Sequence, residues 1–114
     1  MMFQPARGEI WSVDLSPTLG RGQGGRRPAL VISVDPFNAG PADLVVVLPI
    51  TSKAKGIPFH VAVHPPEGGL AEISHIKCED IRSIAKERLR ERWGTTSAET
   101  LRQVEDRLRI LLDL

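Results

Sequence analysis

The hydrophobic positions of this chain change their period once, close to its C-terminal end. Through the first two thirds, short apolar runs are separated by clusters of Gly, Pro, Asn, Asp and Ser, the pattern of strands joined by turns. EIWSVDL (9–15) alternates, with Ile10 on one face and Trp11, Val13 and Leu15 on the other, as a half-buried strand does. PALVISV (28–34) and LVVVLPI (44–50) are nearly continuous apolar runs of strand length, rich in Val and Ile. FHVAVH (59–64) alternates again, and SHIKCEDIRSI (74–84) predicts a longer strand with a bend or bulge.

The ending has a helical period. TSAE (96–99) reads as a capping box, in which Thr96 caps a free N–H and Glu99 reaches back to the cap residue. Leu101, Val104, Leu108 and Leu111 then recur at spacings of three and four, while Arg102, Glu105, Asp106 and Arg109 take the outer face. This predicts one amphipathic helix of about 15 residues. IAKERLRER (84–92) predicts a helical turn or two before the break at Gly94. Five strands followed by a helix place the fold in the mainly β class with some α. They suggest a small antiparallel barrel or half-barrel, with the terminal helix covering part of the sheet or an edge.

Length and composition narrow this picture a little. A chain of 114 residues is expected to form one domain, 1–114. At 41% hydrophobic and 25% charged it has the balance of an ordinary soluble globular protein. A net charge of +1 says nothing of partners, but 16–34 holds three arginines and no acid, so the imbalance is local. Cys78 is the single cysteine, which allows neither an intrachain disulfide nor a cysteine-based zinc site and suits a reducing cytoplasm. The start lacks the apolar run of a signal peptide, and no stretch approaches membrane-spanning length, so the expected location is cytoplasmic.

Candidate chemistry gathers at two strand ends. RGQGGRRP (21–28) sets three arginines and three glycines before an apolar run. Glycine admits backbone conformations closed to other residues, and arginine offers a rigid fork of donors suited to phosphate. Pro28 pushes Arg27 towards extended geometry, and strict alternation sends Arg26 and Arg27 to opposite faces, so that one of them faces a given cleft. Two readings stand: solvated loop charges, or a phosphate clamp to which Arg21 and the glycines add an adaptable approach. PITSKAK (49–55) ends a strand in Thr51, Ser52 and Lys53. Two hydroxyls and an ammonium suit a phosphoryl transition state, and equally an ordinary strand exit with a capped turn.

Other side chains carry less. His60 and His64 share a strand face about 13 Å apart, too far for one metal ion, and His75 has no evident partner. The acids are scattered and CED (78–80) is no ligand set, so no metal and no cofactor is expected. There is no phosphate-binding G-x-x-x-x-G-K-[ST], no dinucleotide-binding glycine fingerprint and no G-x-S-x-G. Trp11, Trp93 and three phenylalanines do not form an aromatic base-stacking stripe, and tyrosine is absent.

The order RGEIWSVDLSPTLGRGQGGRRPALVIS, DPFN, VVVLPITSK, IKCEDIRSI and a helix ending LRILLDL resembles the MazF/PemK toxins, from Arg7 to Leu114. The resemblance implies an SH3-like barrel with a terminal helix, and a homodimeric toxin of a type II toxin–antitoxin system. It implies an endoribonuclease that cuts single-stranded RNA without metal, leaving 2′,3′-cyclic phosphate and 5′-hydroxyl ends, and a MazE-like antitoxin that blocks the groove. It matches the catalytic arginine to Arg27 and the catalytic threonine to Thr51. The loop 16–26 becomes the mobile rim of the RNA groove. Arg21, Gln23, Gly24, Gly25, Arg26, Ser52, Lys53 and Arg82 become RNA contacts, and His60 a minor candidate for proton transfer.

Two positions depart from the family pattern. Gly22 stands where many relatives carry an acid, and Asp80 where many carry glutamine. An acid beside a phosphate would repel it, so Asp80 is expected to orient Arg82 or to face away. The runner-up reading is a non-enzymatic gyrase poison of CcdB type on the same barrel, which would survive loss of Arg27 and Thr51.

Overall fold

A computed structural model describes residues 4–15 and 25–114. Its seven strands are β1 (Glu9–Asp14), β2 (Arg26–Val31), β3 (Leu44–Thr51), β4 (His60–Val63), β5 (Ser74–Lys77), β6 (Arg82–Ala85) and β7 (Leu89–Thr95). A one-turn helix α1 (Asp35–Asn38) follows β2, and the chain closes with α2 (Ala98–Leu112). Every strand pair is antiparallel.

The eight residues of β3 organise the sheet. One edge of β3 pairs with β2; the other pairs with β6 along Leu44–Val47 and with β5 at Ile50 and Thr51. Strands β7, β1, β2, β3 and β6 follow one another, and a single 3-10 turn at Lys86–Arg88 joins β6 back to β7. These five strands wrap around Trp11, Val13, Ala29, Val31, Val45 and Val47, with Ile84 and Leu89 packed against them. The outer face carries a second core, Ile10, Leu30, Leu48, Ile50, Val61, Val63 and Ile76, over which α2 lays Val104, Leu101 and Leu108. Alternation along β1, β2 and β3 sends successive side chains to the two cores. This is why 28–34 and 44–50 are apolar almost throughout, and why 9–15 is buried on both faces instead of half-buried.

Three expectations need correction. The run 74–84 is two strands, because β3 offers separate pairing stretches to β5 and β6 and the chain must turn at 78–81 to change from one to the other. The run 84–92 is largely β7, drawn into the sheet by pairing with β1, with the turn at 86–88 as its only helical part. The helix cap lies one residue later than expected. Ser97 is the N-cap and accepts from the Thr100 amide at 3.1 Å, while the Thr96 hydroxyl donates to the Gly8 carbonyl at 2.9 Å. Glu99 instead accepts from Arg102 and Gln103. Among the described residues, no helix is long and apolar enough to cross a membrane.

Candidate functional site

The arginine entrance and the hydroxyl turn meet through strand register. Val31, Leu30 and Ala29 of β2 face Val47, Leu48 and Pro49 of β3. Carried two residues further, that register sets Arg27 across from Thr51, on the face shared with Ala29 and Val31. The two border a cleft of about 210 Å3 together with Arg26, Pro28, Ile50, Ser52 and Lys53. Alternation predicts one arginine at the cleft; both Arg26 and Arg27 border it, because it lies at the open end of β2 and not along one face. Gly25 leads into the strand with a φ of 66°, in the left-handed region that glycine takes without strain.

Thr51 already makes a turn: its Oγ1 accepts from the Lys53 amide at 3.1 Å. That bond uses a lone pair and leaves the hydroxyl proton to be donated elsewhere. Arg26, Arg27 and Lys53 are exposed, so three cations share one small opening with the hydroxyls of Thr51, Ser52 and Ser74 and the carboxylate of Glu72. Such a set can hold a phosphodiester and the charge that builds on it during in-line displacement.

The far wall was not legible in the sequence. It consists of Leu70, Ala71, Glu72 and Ser74 from the segment before β5, and of Trp93 from β7. These residues lie some twenty and forty positions after Thr51, and only the pairing of β5 with β3 and of β7 with β1 brings them near. His75, with no evident partner in the sequence, sits across from Thr51 in the β3–β5 register but does not line the cleft.

Other expected residues lie elsewhere. His60 does not line the cleft; its Nε2 pairs with Glu79 Oε2 at 2.9 Å, and its Nδ1 is buried with no partner. Arg82 does not line it either, since it pairs opposite Val47, four residues along β3 from Thr51. Asp80 grips Arg82 through both carboxylate oxygens at 3.1 Å and also reaches Lys77 at 3.5 Å. Partial burial raises the Asp80 pKa, but these cations outweigh it and hold the carboxyl below its ordinary value. The acid thus orients the arginine. Arg21, Gln23 and Gly24, with Gly22 and most of the expected rim, lie outside the described residues. Among the described residues, no three His, Cys, Asp or Glu side chains converge to hold a metal ion.

Residues 6–112 match the model of the family described as PemK-like, MazF-like toxin of type II toxin-antitoxin system. The chain is similar to endoribonuclease MazF9 of Mycobacterium tuberculosis, with 42% identity over 113 residues that cover 95% of this chain and 96% of that protein. Its fold is similar to crystal structures from Deinococcus radiodurans. MazF gives a TM-score of 0.80 at 33% identity, covering 99% of this chain and 100% of that one. A MazE–MazF structure gives 0.84 at 33% identity, covering 99% of each.

Proposed function

Since the chain belongs to the PemK-like, MazF-like toxins of type II toxin–antitoxin systems, we propose that it is an endoribonuclease whose working pair is Arg27 and Thr51. One observation supports the reading: Arg27 and Thr51 border one small cleft that Ser52 and Lys53 also line. The substrate is single-stranded RNA. Its own 2′-hydroxyl attacks the adjacent phosphorus, the new O2′–P bond forms and the P–O5′ bond breaks. The 2′ proton passes to solvent water and water returns one to the 5′-oxygen, leaving a 2′,3′-cyclic phosphate and a 5′-hydroxyl. The nucleophile is part of the substrate, so positioning supplies much of the rate.

Arg27 holds the negative charge of the phosphorane through its rigid fork of N–H donors. Thr51 donates a hydrogen bond from its hydroxyl to a phosphate oxygen, while Ser52 and Lys53 hold the neighbouring backbone. No step calls for a metal or another cofactor. The whole chain, 1–114, works as one toxin unit, as a homodimer in the cytoplasm, and a MazE-like antitoxin restrains it. The matches to MazF relatives and to a MazE–MazF assembly support this reading and do not favour a gyrase-poisoning role for the barrel.

The test is incubation of the purified protein with a long single-stranded RNA in excess chelator, with fragment ends identified by mass spectrometry. Cyclic phosphate ends are expected. Arg27→Ala and Thr51→Ala should each slow cleavage by about 10²–10³ while the protein stays folded. Full activity in both variants would end the assignment.

A further inference from the structure

The geometry points to Trp93 as a second working element of the cleft: we propose that its indole is a face on which a base of the bound strand stacks. This rests on the reading of the cleft as an RNA site. Between Ile10 and Trp11 of β1, the partner in β7 jumps from Gly94 to Arg92. Trp93 is therefore the extra residue of a β-bulge, opposite no residue of β1. A bulge bends its strand and re-aims the side chain of the extra residue. Here Trp93 is left 38% exposed and lines the cleft together with Arg27, Thr51 and Lys53.

The bulge is held by backbone contact. Gly68 and Gly69 turn with φ of 66° and 77°, then press against β7. A Cβ on Gly69 would lie 2.3 Å from the Trp93 carbonyl oxygen, and one on Gly94 would lie 2.7 Å from the Gly68 carbonyl carbon. Glycine on both sides lets the two chains touch, so the indole stands on a fixed base. Its partner segment continues into Leu70, Ala71 and Glu72, which complete the same wall. Trp93 is the only aromatic residue lining the cleft among the described residues. The cations beside it answer phosphate, while a flat π-face answers a base.

The two tryptophans make the test direct. Trp11 is 7% exposed in the barrel core, with its indole N–H donated to Glu9 at 2.9 Å, so a bound strand can reach Trp93 and not Trp11. The probe is a single-stranded RNA of the cleaved sequence, with 2′-deoxyribose at the attacked nucleotide so that it binds without being cut. Titration should quench the tryptophan emission of the wild type, and Trp93→Phe should abolish the quenching. Trp93→Leu keeps an apolar side chain without the π-face and should bind about 5- to 100-fold more weakly, with Trp93→Phe recovering most of the loss. If the Leu variant fails to fold, the emission comparison with Trp93→Phe decides alone. Quenching that persists in Trp93→Phe, or wild-type affinity in Trp93→Leu, overturns the inference while RNA cleavage by the wild type leaves the nuclease reading standing. A wild type that cuts no RNA removes both. A Trp93→Leu variant that dissociates into subunits yet binds normally when dimeric assigns the indole to subunit contact and overturns stacking.

Discussion

The Cys78 thiol lies fully buried in the outer core, where desolvation and the nearby Glu79 charge push its pKa up to about 11, against a smaller opposing effect of Arg107. A thiol reacts as its thiolate, so this group should resist a thiol reagent at pH 8 in the native protein and react fully once denatured; rapid native labelling would show that the outer core opens. The histidines separate in the same way, by position. His75 faces Thr51 across the β3–β5 register, whereas His60 is held by Glu79 away from the cleft. His75→Gln should therefore slow RNA cleavage through the strand end that carries Thr51, and His60→Gln should leave the rate in place; the reverse result would return proton transfer to His60. None of this was readable from spacing, because register between strands far apart in sequence sets which residues face each other.

At the scale of elements, the N-terminus of α2 is held from two sides. Ser97 caps Thr100 within the helix, and Glu67 Oε2 accepts the Ser97 amide at 2.8 Å from the loop before β5. Ser97→Ala should cost about 1 kcal/mol, roughly 4 °C in melting temperature, while Thr96→Val acts on the Gly8 tether instead and Glu99→Ala changes little. An unchanged melting point for Ser97→Ala would return the cap to Thr96. The glycine contact is less forgiving. Gly94→Ala forces backbone apart from backbone and should both lower stability and shift Trp93, seen as a changed emission maximum with Trp11 as the constant background. The apolar stripe of α2 was plain in the sequence because it follows from one local period. The cap was misplaced by one residue because Thr96 and Ser97 are equal candidates until Gly8 claims the Thr96 hydroxyl.

Across the whole molecule, Glu67 ties the loop before β5 to the start of α2, while Asp80 holds cations within its own turn. Glu67 is raised by its partial burial, but the Ser97 amide, the Thr100 and Ser97 hydroxyls and His64 bring it below its ordinary value; Asp80 is lowered by Arg82 and Lys77. A carboxyl depressed in the folded state stabilises it fully above the unfolded pKa of about 4, and that contribution is lost as pH falls through the folded value. Urea midpoints should therefore drop below about pH 4, and Glu67→Gln should flatten the drop; an identical slope in the variant would place the acid sensitivity elsewhere. Sequence by itself determined the strands with a period of two, the terminal helix with its stripe, and the two strand ends where Arg27 and Thr51 stand. These depend on neighbours within a few residues, or on motif order that survives without coordinates. Tertiary structure alone decided that 74–84 breaks in two, that 89–95 is a strand, that Asp80 serves Arg82, and that Trp93 walls the cleft. Most of those follow from pairing between segments distant along the chain, which is favoured because it buries two cores at once.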